Sequence, residues 1–339
     1  MVNVRAYISS NFAKAFLTIF LPFFLIISLV YLVKISALTS KIQITFGELL
    51  MLYSYSIPDI VFYTLPISFV AALANVLIKL SIDNELIALY ALGLKANKVL
   101  RSLLLLGFLF SLLLLVISLF GMPLSKQFYS SFKETKKSEA KLNIVPGKLG
   151  QKFGDYYIYV KDKKEENFHD MVIYNRTDKN EEQFFAAQSG NLNKKNNITS
   201  LVLNAGYGYT YTKDKLQQAK YKTLEVYDKS KNRNYHFKGV FEFWERAKTE
   251  KGTLHRLLFY IFVSLIPFIS VYIVAAYTMI NPRYQANHSY IVIFSVTLFF
   301  YAIASSLQKW GTFPLLALAI LFTSSLGLWL FHKRVTRYF

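Results

Sequence analysis

Six long apolar stretches constrain this chain more than any other feature. A helix that crosses a bilayer needs about 20 apolar residues, because lipid offers no partner to an unpaired backbone N–H or C=O. Lys14 and Lys34 bound 19 uncharged residues, and Asp59 and Lys79 bound another 19. Arg101 and Lys126 bound 24, Arg256 and Arg283 bound 26, Arg283 and Lys309 bound 25, and Lys309 and Lys333 bound 23. Gln285, Asn287 and His288 shorten the apolar part of the fifth stretch. The first stretch exceeds the roughly 7–15 apolar residues of a signal peptide, and no small-x-small site follows before Lys34, so it reads as a retained span. The expected fold class is an α-helical membrane protein with six transmembrane helices, interrupted between the third and fourth by an insert.

Charge fits the same picture. The 339 residues carry a formal net charge of +19, yet only 17% of them are charged, against roughly 25% in a soluble domain. Residues 122–255 hold 25 basic and 16 acidic side chains, and the remainder holds 14 and 4. No long basic run occurs, which argues against nucleic acid as a partner. With an inside N-terminus, Arg5, Lys14, Lys79, Lys95, Lys98, Arg101, Arg283, Lys333, Arg334 and Arg337 lie inside, ten in all, against Lys34, Lys41, Lys309 and Arg256 outside. The positive-inside rule then places both termini in the cytoplasm and the insert outside it.

The insert reads as β. Residues 155–160, 171–174, 183–187, 198–204, 207–212, 221–227 and 235–239 are short runs rich in aromatic and β-branched residues, separated by Asn, Asp, Lys and Gly. Such spacing predicts an all-β sandwich, jellyroll-like or barrel-like domain. Residues 124–142 have a helical composition that extends the third span, and 240–256 return the chain to the fourth. The domain boundaries expected are 1–125 for three spans, 126–255 for the insert with its connectors, and 256–339 for the last three spans.

Motifs for catalysis are lacking. The sequence has no phosphate-binding P-loop, no H-E-x-x-H and no G-x-S-x-G, and its five histidines are scattered. With no cysteine there is no disulfide, thiolate nucleophile or cysteine metal site. No cofactor and no enzymatic activity are expected of this chain. Prolines 22, 66, 267 and 314 lie within the apolar stretches, where they either shape kinks or are tolerated.

Two polar features stand out. Lys34 and Lys41 lie seven residues apart, about two helical turns, so a continued first helix carries both on one face. They are either snorkelling anchors or a pair of cations for anionic head groups. Residues 81–93 form the second feature. Ser81 and Asp83 are possible N-caps, Glu85 suits the first helical turn, Ile82, Leu86, Leu89 and Gly93 share a stripe, and Gly93 suits the C-terminal cap. A short amphipathic helix here either lies on lipid or docks a cytoplasmic partner.

Several segments resemble one family. Leu65-Pro66 in a span ending at Leu80-Ser81 is followed by Asn84-Glu85-Leu86-Ile87-Ala88-Leu89 and Ala91-Leu92-Gly93. Pro146-Gly147, Gly154 to Val160, Asp170 to Tyr174 and the Ala187 to Gly190 segment follow in order, and Asn281-Pro282-Arg283 follows the fourth span. Together with the layout of three spans, a domain and three spans, these segments resemble the LptF/LptG (YjgP/YjgQ) permeases of the lipopolysaccharide export ABC transporter. The resemblance implies a subunit that extracts lipopolysaccharide from the bacterial inner membrane. Its implied partners are a second LptF/LptG-type permease, an LptB-like ATPase dimer, an LptC-like single-span protein and an LptA-like periplasmic bridge. It also implies roles: residues 82–92 as the coupling helix, with Glu85, Leu86, Leu89 and Gly93 facing the ATPase, and Lys34 and Lys41 meeting lipid A phosphates. Lys34 matches LptG-type members, whereas Asn281-Pro282-Arg283 is closer to LptF, so the subunit type stays open. A rival reading from the residues is a membrane-anchored sensor or scaffold with a ligand-binding β domain.

Overall fold

The computed structural model describes residues 4–39, 44–142, 144–153, 156–164, 167–178, 181–195, 198–212, 215–227, 239–281 and 289–336. Six helical segments are long and apolar enough to cross a membrane: Val4–Ala37, Phe46–Ile82, Ala96–Lys136, Lys251–Thr278, Ser289–Trp310 and Phe313–Thr336. The helices are α1 (Val4–Thr39), α2 (Phe46–Ile82), α3 (Glu85–Ala91), α4 (Ala96–Val116), α5 (Met122–Leu142), α6 (Val240–Glu245), α7 (Lys251–Thr278), α8 (Ser289–Trp310) and α9 (Phe313–Phe331).

The helices outrun the apolar stretches that announced them. Lipid-spanning residues need only about 20 positions, and polar residues continue the helix beyond the hydrocarbon. α2 begins at Phe46, where Thr45 and Glu48 form a reciprocal capping box. Asp59, which bounds an apolar stretch in the sequence, therefore lies well inside the helix. Pro314 is no interior kink either. It sits in the first turn of α9, behind the N-cap Thr312, where a missing N–H costs nothing.

α2 and α7 form the centre of the helical unit, and Phe62, Phe69, Leu73, Phe262, Val263 and Val274 are fully buried there. α4 packs closely on α7. A Cβ added to Gly107 would stand 2.8 Å from the Pro267 carbonyl oxygen, so only glycine permits this crossing. One turn on, the Ser111 hydroxyl accepts from the Phe268 N–H at 3.1 Å, and Ser118 and Ser264 hydroxyls meet at 3.1 Å. The proline in α7 disturbs its backbone ladder, and α4 supplies the replacement partner.

Between α4 and α5 the helix widens into a single π turn, Ile117–Gly121. Pro123 has no N–H to give the Leu119 carbonyl four residues earlier. The Trp244 indole supplies it, donating to the Leu119 oxygen at 2.8 Å. Trp244 belongs to α6, on the return connector, so the outgoing and returning chain segments are joined at this bond.

The second compact unit is built on six antiparallel strands: β1 (Gln151–Phe153), β2 (Tyr156–Lys164), β3 (Asn167–Asp178), β4 (Glu181–Lys195), β5 (Ile198–Thr212) and β6 (Leu216–Tyr227). Their order in the sheet follows the chain, a meander with no crossover among the described strands. The all-β insert expected from sequence is thus present. The core face alternates as strand geometry requires, with Ile158, Val160, Met171, Ile173, Leu201 and Leu203 buried. The register sets Ile158 opposite Ile173 and Val160 opposite Met171.

The runs 198–204 and 207–212 are one strand rather than two. Ala205, at φ 51°, marks the irregularity between them. Asp170 has the same φ of 51° in β3. Pairing skips Asp170 between Met171 and His169, and skips Ala205 between Gly206 and Asn204. Two left-handed residues in one line across the sheet bend it locally. Beside that line, Tyr221 lies over Gly206 and donates to the Ala186 carbonyl at 2.9 Å. A Cβ on Gly206 would collide with both partners of that bond. Burial pushes the Tyr221 hydroxyl pKa upward. The predicted run 235–239 lies outside the described residues except for Gly239.

Candidate functional site

The first candidate site is the short turn of chain after α2. Ser81 is not an N-cap. It remains inside α2, where its buried hydroxyl lies 2.9 Å from the Leu77 oxygen and 3.0 Å from the Thr278 oxygen, and accepts from the Ile280 N–H at 3.2 Å. This bond set ties the end of α2 to the end of α7. The chain then breaks at Asn84, which takes a left-handed φ of 59° and sends α3 off in a new direction. Asparagine tolerates that conformation better than most residues. The helix expected over 82–92 is therefore the seven-residue α3, and Ile82 belongs to α2.

α3 ends as its sequence indicates. Gly93 has φ 79°, its N–H bonds the Tyr90 oxygen at 2.9 Å, and the Leu94 N–H bonds the Leu89 oxygen at 3.1 Å. This double bond pattern is a Schellman motif. Leu86 is buried, and Leu89 and Tyr90 pack partly against the helical core. Leu92 is 78% exposed, and Ile82 stands exposed on the adjoining end of α2. Glu85 occupies the first turn, where the helix dipole favours a carboxylate. Both its oxygens accept from the Tyr7 hydroxyl, at 3.0 and 2.9 Å, which links α3 to α1. Leu86 and Leu89 thus anchor α3 from beneath, while Glu85, Leu92 and Gly93 lie at its accessible side or ends.

The second candidate site lies towards the other ends of α1 and α2. Lys34 is exposed, with its Nζ 5.5 Å from the centroid of the Tyr31 ring. Lys41, its expected companion, lies outside the described residues. What Lys34 does meet was not legible from spacing. Asp59 on α2 and Lys126 on α5 each lie within the electrostatic reach of Lys34 and of one another. Lys126 donates a hydrogen bond to the hydroxyl of Tyr260, a buried residue of α7. Arg256, one turn earlier on α7, acts on Lys126 and Tyr63. Tyr55 stacks on Phe128 at 5.4 Å, and Tyr53 donates to Ser28 at 2.9 Å, which fixes α5 and α1 against α2.

Among Lys34, Asp59, Lys126, Arg256 and Tyr260, the direct contact is that of Lys126 with Tyr260, which joins α5 to α7; Lys34, Asp59 and Arg256 act on it electrostatically. Sequence reading treated Asp59 and Lys126 only as span limits. One signal could have singled out Asp59: only four acidic residues lie outside 122–255, and the other three, Glu48, Asp83 and Glu85, all sit at helix ends. Among the described residues no group of three His, Cys, Asp or Glu side chains could hold a metal ion.

The described residues thus comprise six helices long and apolar enough to cross a membrane and an inserted antiparallel β sheet. The family Lipopolysaccharide export system permease LptF/LptG matches residues 6–333. The chain belongs to that family, which makes it a multi-pass inner-membrane protein with a periplasmic β-sheet domain. Membership fits a non-catalytic transport subunit and association with other components of the Lpt machinery. No curated protein matches the chain.

Proposed function

We propose that this chain is one of two permease subunits in an ATP-driven exporter that lifts lipopolysaccharide from the inner membrane towards a periplasmic bridge. The observation that carries the reading is the family match over residues 6–333, which takes in all but the ends of the chain. The N- and C-termini lie in the cytoplasm, as the distribution of short-loop Lys and Arg supports. Residues 126–255 are the periplasmic domain with its connectors. An LptB-like ATPase dimer docks on α3, and an LptC-like protein and an LptA-like bridge receive the lipid from the β domain.

Physical chemistry gives each part a task. The ATPase pushes on α3, which Leu86 and Leu89 fasten to the helical core so that it moves as one piece with α2. Glu85 meets a basic residue of the ATPase, with Tyr7 holding its carboxylate in place until then. Gly93 lets the chain turn sharply away beneath the docked partner. Lys34, with Lys41, takes the lipid's phosphates as point charges, and buried acyl chains supply most of the affinity, at about 0.8 kcal/mol per CH₂.

Purification of the full chain from detergent-solubilised membranes tests the assignment. A P-loop ATPase and a second six-span subunit are expected to co-purify; their absence points to the sensor or scaffold alternative. Glu85→Lys is expected to strip the ATPase from the complex and cut export by about tenfold or more, since a desolvated charge pair is turned into a repulsion. Export at the wild-type rate from this variant would refute the coupling role.

A further inference from the structure

Tyr7 and Glu85 are joined in a way that the fold does not require. Leu86 and Leu89 already fasten α3 to the helical core, and Asn84 sets its direction. α1 is already seated by Ile8 and Phe12, each 1% exposed. The Phe12 ring lies 5.0 Å from that of Phe69 on α2, and the Phe16 ring 4.9 Å from that of Phe110 on α4. Tyr7 itself stands 41% exposed. Its bond to Glu85 is an open polar link added to two helices that pack without it.

The geometry of the link bears on docking. The two carboxylate oxygens lie 3.0 and 2.9 Å from the Tyr7 hydroxyl. A phenol has one proton to donate, so that proton is shared between both oxygens. Near-equal distances set the hydroxyl midway between the oxygens, the place that a cation needs when it forks or bridges a carboxylate. A basic group from a docking partner and the Tyr7 hydroxyl therefore compete for one position. The cation wins, because it adds a Coulomb attraction that a neutral phenol lacks, and a closing interface lowers the dielectric around it.

We propose that Tyr7 is a latch on the docking face: while it occupies Glu85 it ties the near end of α1 to α3, and a partner that pairs with Glu85 displaces it and loosens that end. The proposal rests on the reading of Glu85 as a docking residue given above, and it adds regulation to that site. Once the latch opens, Ile8 and Phe12 still hold α1. Apolar contacts are non-directional, so the helix can roll or slide on them where a hydrogen bond would not let it. α1 runs unbroken from Val4 to Thr39, so a shift at Tyr7 is carried along one helix to Lys34.

Spin labelling of α1, combined with ATPase binding, tests the latch. The chain has no cysteine, so a label at Ser10→Cys, exposed and about one turn from Tyr7, reports on α1. The assembled permease in nanodiscs is titrated with the separately purified LptB-like ATPase. Tyr7→Phe keeps the ring and removes the donor. It is expected to bind the ATPase about fivefold more tightly, since a hydrogen bond to a charged, exposed group no longer has to be broken. Without ATPase it is expected to show the label mobility that the parent chain reaches only with ATPase. Tyr7→Arg puts a fixed cation in the place of the phenol, and is expected to bind the ATPase about fivefold more weakly, with the label held still. Equal or weaker docking by Tyr7→Phe would overturn the proposal, because Tyr7 would then orient Glu85 for its partner instead of blocking it. A label whose mobility the bound ATPase leaves unchanged would overturn it as well. An ATPase that binds no chain, the parent included, overturns the docking reading of α3 instead. The latch is then judged by the label alone, which must loosen in Tyr7→Phe.

Discussion

α1 and α2 are both apolar enough to cross a membrane, and α1 is the more apolar of the two, yet their surroundings are opposite. In the most apolar window of α2, 78% of residues are buried, against 11% in α1. Apolarity therefore says that a helix spans; it does not say what covers it. Inside a bilayer, lipid solvates Leu as well as protein does, so burial follows packing and polar links between helices. α2 offers Ser56, Thr64, Ser68, Ala71, Ala72, Ala74 and Ser81 to its neighbours, and all are buried. α1 instead leaves Leu17, Leu21, Leu25, Leu29 and Val33 more than half exposed.

This contrast can be broken or sharpened by substitution. Gly107→Leu drives a side chain into the Pro267 carbonyl at the crossing of α4 and α7. Overpacking of that kind is expected to cost about 3 kcal/mol, read as a lower midpoint in a denaturant titration in detergent. Ser81→Ala leaves the Ile280 N–H unpaired at the junction of α2 and α7. A loss of about 1 kcal/mol is expected in the same titration. Leu29→Ala, on the open face of α1, is expected to change the isolated chain by less than about 0.5 kcal/mol. If that variant destabilises the full assembly but not the single chain, another subunit covers α1.

Much of the fold was legible in the sequence because its signals are local. Length and apolarity reported six spans, and short aromatic and β-branched runs between polar breaks reported most strands. Gly93 announced the end of α3, since a left-handed cap selects for glycine. The start of α3 was misplaced because Ser81 carries the composition of a cap but is used as an interhelical link, and the partner groups, the Thr278 oxygen and the Ile280 N–H, lie almost 200 residues away. β5 was split in two because Ala205 and Gly206 read as a turn, while the sheet uses them for a bend within one strand. The site was legible only in part. Lys34 and Glu85 drew notice by their positions, but Asp59, Lys126 and Tyr260 come from three separate spans. No spacing rule joins residues that meet only when helices pack.

The bond between Trp244 and the Leu119 carbonyl has an optical consequence. The chain has three tryptophans. Trp310 and Trp329 are more than half exposed, each beneath a lysine, whereas Trp244 is half-buried and hydrogen-bonded at the π turn. Replacing the first two by Phe leaves a single emitter where the chain departs for the sheet and comes back. Its colour and anisotropy would then register any opening of that root, with no dye attached.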